Sequence, residues 1–91
     1  MAGVTVELES MRDAEKALAV YIENVSDSVK KLQSNAQDCR DNMESDEVSR
    51  NMVDSLEYCL KNIEKNLCDA EEIKITIHNK IKKIENSLAV S

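Results

Sequence analysis

Few side chains in this sequence could do chemistry. His78 is the only histidine, cysteines stand at positions 39, 59 and 68, and five acids, Asp38, Asp41, Glu44, Asp46 and Glu47, gather near the middle of the chain. Such a group of carboxylates could hold calcium or magnesium. Loops that wrap oxygen ligands around an ion, however, use a set spacing and a glycine for the sharp turn, and the one glycine here is Gly3. The acids read as a solvated turn, favourable at the start of a helix. A single histidine without a ligand cluster builds neither a zinc site nor a catalytic triad, so His78 is expected at the surface or at the edge of a seam. Cys59 and Cys68 lie nine residues apart, half a turn out of phase on a helix, and an odd number of cysteines makes no disulfide framework. All three are expected to be buried small hydrophobes in a reducing compartment. No serine, cysteine or pair of carboxylates stands in an activating context, and no glycine-rich loop could cradle phosphate. Neither enzymatic activity nor a bound metal or cofactor is expected.

The composition describes the elements on which these residues must sit. The chain has 91 residues, no proline, no Phe or Trp, only Tyr21 and Tyr58 as aromatics, and a net charge of −6. That is a helical composition with little bulk for a core, in a chain of one small domain. The acidic balance argues against nucleic acid and against an anionic membrane surface. No apolar run approaches the roughly 20 residues that span a bilayer, and Met1-Ala-Gly-Val-Thr-Val-Glu7 lacks the basic and apolar parts of a cleaved signal. The chain is therefore expected to be cytoplasmic, or to be secreted with a partner by a route that reads no such signal.

Apolar residues recur at alternating spacings of three and four. The first series runs Leu8, Met11, Leu18, Ile22, Val25, Val29, Leu32, Ala36, Cys39, Met43, with Glu15 filling one step. The second runs Val53, Leu56, Leu60, Ile63, Leu67, Ala70, Lys74, Ile77, Ile81, Ile84, Leu88. These are heptad seams, and they predict an all-α fold of two long antiparallel helices, a helical hairpin. Helix one is expected over about residues 7–43, capped by Thr5 or Ser10, and helix two over about 47–89, with a bend at 44–46 where Ser45 and Asp46 are N-cap types. Ile73-Lys-Ile-Thr-Ile77 alternates like a strand but has a seam on both sides, so it is read as helix.

A bend centred near residues 44–45 sets residue i level with residue 89 − i. Glu15, the polar interruption of the first seam, then faces Lys74, the polar interruption of the second, and Glu7 and Glu9 lie level with Lys82 and Lys80. Glu15–Lys74 is expected to fix the register at some cost in stability. Two helices cover only one face of each other, so a partner is implied. The second helix carries apolar residues outside its seam, and the expected partner-binding residues are Met43, Val48, Met52, Cys59, Ile73 and Ile75.

This layout resembles the small helical hairpins of type VII secretion, the WXG-type proteins, and the related small helical partners of LXG toxins. The resemblance covers essentially the whole chain: its length, its two long amphipathic helices, its acidic balance and its central bend. Where the family carries Trp-x-Gly, this sequence has Met43-Glu44-Ser45, followed by Asp46-Glu47-Val48-Ser49. The resemblance implies that Met43 takes the part of the tryptophan and Ser45 that of the glycine. The family's export signal, an aromatic followed four residues later by an acid, is represented only by Ile81-Lys-Lys-Ile-Glu85. It also implies a four-helix or larger bundle with a homologous hairpin or with the N-terminal helices of an LXG toxin, as adaptor, targeting factor or co-secreted partner. The alternatives are a self-associating structural coiled coil, including a homodimer, and a helical antitoxin or immunity protein.

Overall fold

A computed structural model describes residues 2–42 and 46–90. The chain is an all-α helical hairpin of two helices, α1 (Ala2–Asn42) and α2 (Glu47–Val90), with no strand among the described residues. α1 starts about five residues earlier than the capping residues suggested, and Thr5 and Ser10 lie inside it and do not cap it. Nothing in residues 2–6 forbids helix: there is no proline, and the apolar Val4 falls one step before Leu8 on the seam. The Met43-Glu44-Ser45 motif lies outside the described residues.

The start of α2 follows from its cap. Asp46 Oδ1 accepts the Ser49 N–H at 2.7 Å and the Asp46 carbonyl accepts the Arg50 N–H at 3.1 Å, so two donors of the first turn are satisfied. Glu47 adds an acid to that turn, and Arg40 supplies a cation to the last turn of α1, each matching the helix dipole. The Ile73–Ile77 stretch is helical, and Thr76 returns its hydroxyl to the Glu72 carbonyl at 2.9 Å, as a threonine inside a helix can do.

The helices pack as two compact units, Met1–Ile22 with Asp69–Ser91 and Glu23–Cys68. In the bend-side unit, Glu23–Cys68, the buried residues Val29, Ala36 and Leu60 form a cluster, with Val25, Leu32, Leu56, Ile63 and Leu67 packed against it. Ala36, at 1 % exposure, is the most deeply buried residue of the cluster. In the terminal unit Leu8, Ala70 and Ile81 are buried. Every one of these residues belongs to a seam. Leu88, the last seam position, is half exposed near the end of α2.

Three side-chain pairs stand off the expected level by the same step. Arg12 pairs with Glu85 at 3.2 Å, Gln33 donates to Glu64 at 2.9 Å and Arg40 pairs with Glu57. The level rule would have placed Ile77, Leu56 and Ser49 opposite them, so each partner stands eight positions further along α2, about 12 Å. Glu15 Oε1 lies 2.9 Å from His78 Nδ1; Lys74 lines the same groove as Glu15 without an ion pair to it, and Glu7–Lys82 and Glu9–Lys80 do not pair among the described residues. Helical side chains lean toward their own N-terminus, away from the bend on α1 and toward it on α2, which shifts touching residues in this direction.

Two outcomes test this account. The Ser49 N–H holds the Asp46 carboxyl below the usual aspartate range. Its stabilisation is therefore complete above the ordinary aspartate pKa and is lost as pH falls through the lowered folded value. Asp46→Asn should keep the cap while removing this site's pH dependence, and Asp46→Ala should lose the cap at neutral pH, as read by thermal melts from pH 7 to strong acid. For the register, Arg40→Glu should cost about 0.5 kcal/mol, as expected for an exposed pair, and adding Glu57→Arg should recover it. If the double variant is less stable than either single one in urea unfolding, the pair does not hold the register.

Candidate partner-binding surface

The heptad that builds the core also generates two flanks. One position beyond the inner step of each seam, α1 carries Arg12, Ala19, Ser26, Gln33 and Arg40, and α2 carries Glu57, Glu64, Glu71, His78 and Glu85. This flank is laced. Arg40–Glu57 and Gln33–Glu64 close it in the bend-side unit, and Arg12–Glu85 closes it in the terminal unit. Of the residues that the resemblance sets in place of an export signal, Glu85 is an ion-pair partner and Ile81 a core residue.

The opposite flank carries almost no charge. In the bend-side unit it consists of Ser28, Asn35 and Asn42 on α1 and Met52, Cys59 and Asn66 on α2, all exposed. In the terminal unit it consists of Glu7, Ala14 and Tyr21 on α1 and Ile73 and Lys80 on α2. A third of the chain's residues are charged, yet the bend-side stretch of this flank has none.

On α2 of the bend-side unit, Val48, Asn51, Met52, Ser55, Leu56 and Cys59 line a shallow groove of about 600 Å³. Their spacings of three, one, three, one and three place them along one side of the helix. Beneath its edge, Cys39 meets Met52, Val53 and Leu56 around a space of about 40 Å³. Three of the expected partner residues, Val48, Met52 and Cys59, therefore come together here, and Met52 is 56 % exposed. Met43 lies outside the described residues. Ile73 and Ile75 are both exposed but do not act together: two residues apart on a helix, they point about 160° away from each other. Ile75 lines a separate groove of about 450 Å³ in the terminal unit with Glu15, Ile22, Glu71, Lys74 and His78. A single helix lying on α2 cannot touch both.

The cysteines depart from expectation. Cys39 is half-buried at the seam, but Cys59 and Cys68 are exposed. Both fall off the seam, and a lone partner helix leaves such positions uncovered. Asn66, Ser28 and Asn35 were missed as surface-forming residues because they are not apolar. Their signal in the sequence is the absence of charge at heptad-spaced flanking positions. Among the described residues no helix is long and apolar enough to cross a membrane.

Core and surface should separate cleanly under mutation. Leu60→Ala, deep in the seam, should cost roughly 2–5 kcal/mol and largely unfold so small a domain. Met52→Ala should change stability by less than about 0.5 kcal/mol. Urea unfolding followed by circular dichroism checks both, and comparable losses would mean that Met52 belongs to the core. Comparison with known protein families, curated proteins and solved structures finds none that matches this chain.

Proposed function

We propose that the chain is a non-enzymatic helical binding module that packs its uncovered helix face on another helical protein. The partner is a homologous hairpin or the N-terminal helices of an LXG toxin, which it accompanies as adaptor, targeting factor or co-secreted partner in type VII secretion. The observation that carries this reading is the groove along α2, where Val48, Met52 and Cys59 stand exposed in one line beside a thin core. A buried set restricted to alanines, valines, leucines and an isoleucine on a single stripe contributes little beyond the entropy lost on ordering two long helices. Covering the groove with an apolar helix face would add the missing area. The secretion context rests on the resemblance in length, charge and bend placement.

The test is co-expression with the product of the adjacent gene, followed by light scattering and thermal melting. A stable one-to-one complex that melts more cooperatively than the isolated chain is expected, and Met52→Glu should weaken it by about tenfold or more. A tight homodimer that ignores the neighbouring product would replace this reading with that of a self-associating structural coiled coil.

A further inference from the structure

We propose that the terminal unit holds a second docking site, on its laced flank, for a partner helix that presents an acidic side chain with an apolar one a turn away. The site rests on the reading of the chain as a helical binding module, and it lies apart from the groove of Val48, Met52 and Cys59.

The site is a missing rung. Arg12 reaches across to Glu85 at 3.2 Å, and one heptad further along α1 the same step sets Ala19 against His78. An alanine cannot bridge two helices, and His78 turns instead to Glu15, with Nδ1 and Oε1 2.9 Å apart. Ala19 is left lining a cleft of about 360 Å³ with Arg12, Glu15, Lys16 and Lys74.

Charge selects the occupant. Arg12 is committed to Glu85 and Glu15 to His78, whereas Lys16 and Lys74 make no ion pair among the described residues. Lys74 is half-buried at a seam position, where an ammonium without a counter-ion is unfavourable. Two ammoniums from two helices thus face a space whose acid is already engaged, and a carboxylate placed there would pair with both. From Ile73 to Ile84 α2 carries four lysines and no acid, which favours an incoming carboxylate although the whole chain stands at −6.

Shape selects a helix. Glu15 and Lys74 also line the neighbouring groove of about 450 Å³, whose apolar residues are Ile22 and Ile75. Ala19 and Ile22 stand three residues apart on α1, the interval at which a partner helix repeats side chains along one face. Glu71, exposed and without an ion pair among the described residues, lines the second groove and disfavours an acid there. The partner's acid therefore belongs over Lys16 and Lys74, and its apolar side chain over Ile22 and Ile75.

The test is a titration of the isotope-labelled full chain, followed by amide chemical shifts. The probe is an alanine- and glutamine-based helical peptide of about 20 residues, with one central glutamate and a leucine one turn to either side. Saturable shifts are expected over residues 12–22 and 71–78. Lys16→Gln and Lys74→Gln should each raise the Kd about threefold or more, as should replacing the peptide's glutamate by glutamine. Either variant combined with the glutamine peptide should cost little more than one change alone, since both remove the same pair. Lys61→Gln, an equal loss of charge in the bend-side unit, should leave the Kd within about 1.5-fold. Lys16 is exposed, so its variant keeps the parent's circular dichroism even if Lys74→Gln loosens the seam. The absence of saturable shifts overturns the site. So do shifts centred on the Val48–Cys59 groove, an equal response to Lys61→Gln, or tighter binding of decanoate than of the peptide, which would make the cleft a site for a free amphiphile. The two readings fail separately: a chain that binds the neighbouring product but not the peptide removes only this site, and one that binds the peptide here yet ignores that product removes only the secretion partner.

Discussion

A helix that packs on one other helix can cover only one stripe of it, and the rest of this structure depends on that constraint. The stripe is thin here because its most deeply buried residue is an alanine, Ala36, and because Glu15 and Lys74 interrupt both seams. Each compact unit consequently owns only a few buried side chains, all of them aliphatic. Everything outside the stripe is left uncovered by the hairpin itself, and the proposed binding surface is drawn from what remains. A pair of long helices with a wider or bulkier seam would bury more of its own surface.

Much of the fold was legible because periodicity is a property of the chain alone. Val29, Ala36, Leu60 and Ile81 are buried for the reason their spacing gives, and Asp46 caps α2 as its side chain allows. The start of α1 was less legible, since Thr5 and Ser10 can cap a helix but are equally free to sit inside one. The ion pairs were less legible than the seams. Matching Glu15 to Lys74 finds two residues that line one groove, but the carboxylate of Glu15 goes to His78 and Arg40 goes to Glu57, because the lean of side chains along each helix adds to the level of the backbones in choosing a partner.

The candidate surface was only partly legible. Searching for apolar residues outside the seam finds Val48, Met52 and Cys59, which the structure gathers, but also Ile73 and Ile75, which it points apart. Hydrophobicity by itself carries no phase. The same view put Cys59 and Cys68 in the core, because cysteine is usually buried, although neither falls on the seam. What distinguishes the two sides of the hairpin is where charge is missing, a signal read from Asn, Ser and Met together.

The unequal flanks have a consequence for how the molecule responds to its solvent. Added neutral salt screens exposed ion pairs over a few ångströms, so it loosens the side held by Arg12–Glu85 and Arg40–Glu57. The same salt weakens the mutual repulsion of two chains of charge −6 and leaves an uncharged contact untouched. Ionic strength therefore acts with opposite sign on the ion pairs within one hairpin and on the repulsion between hairpins.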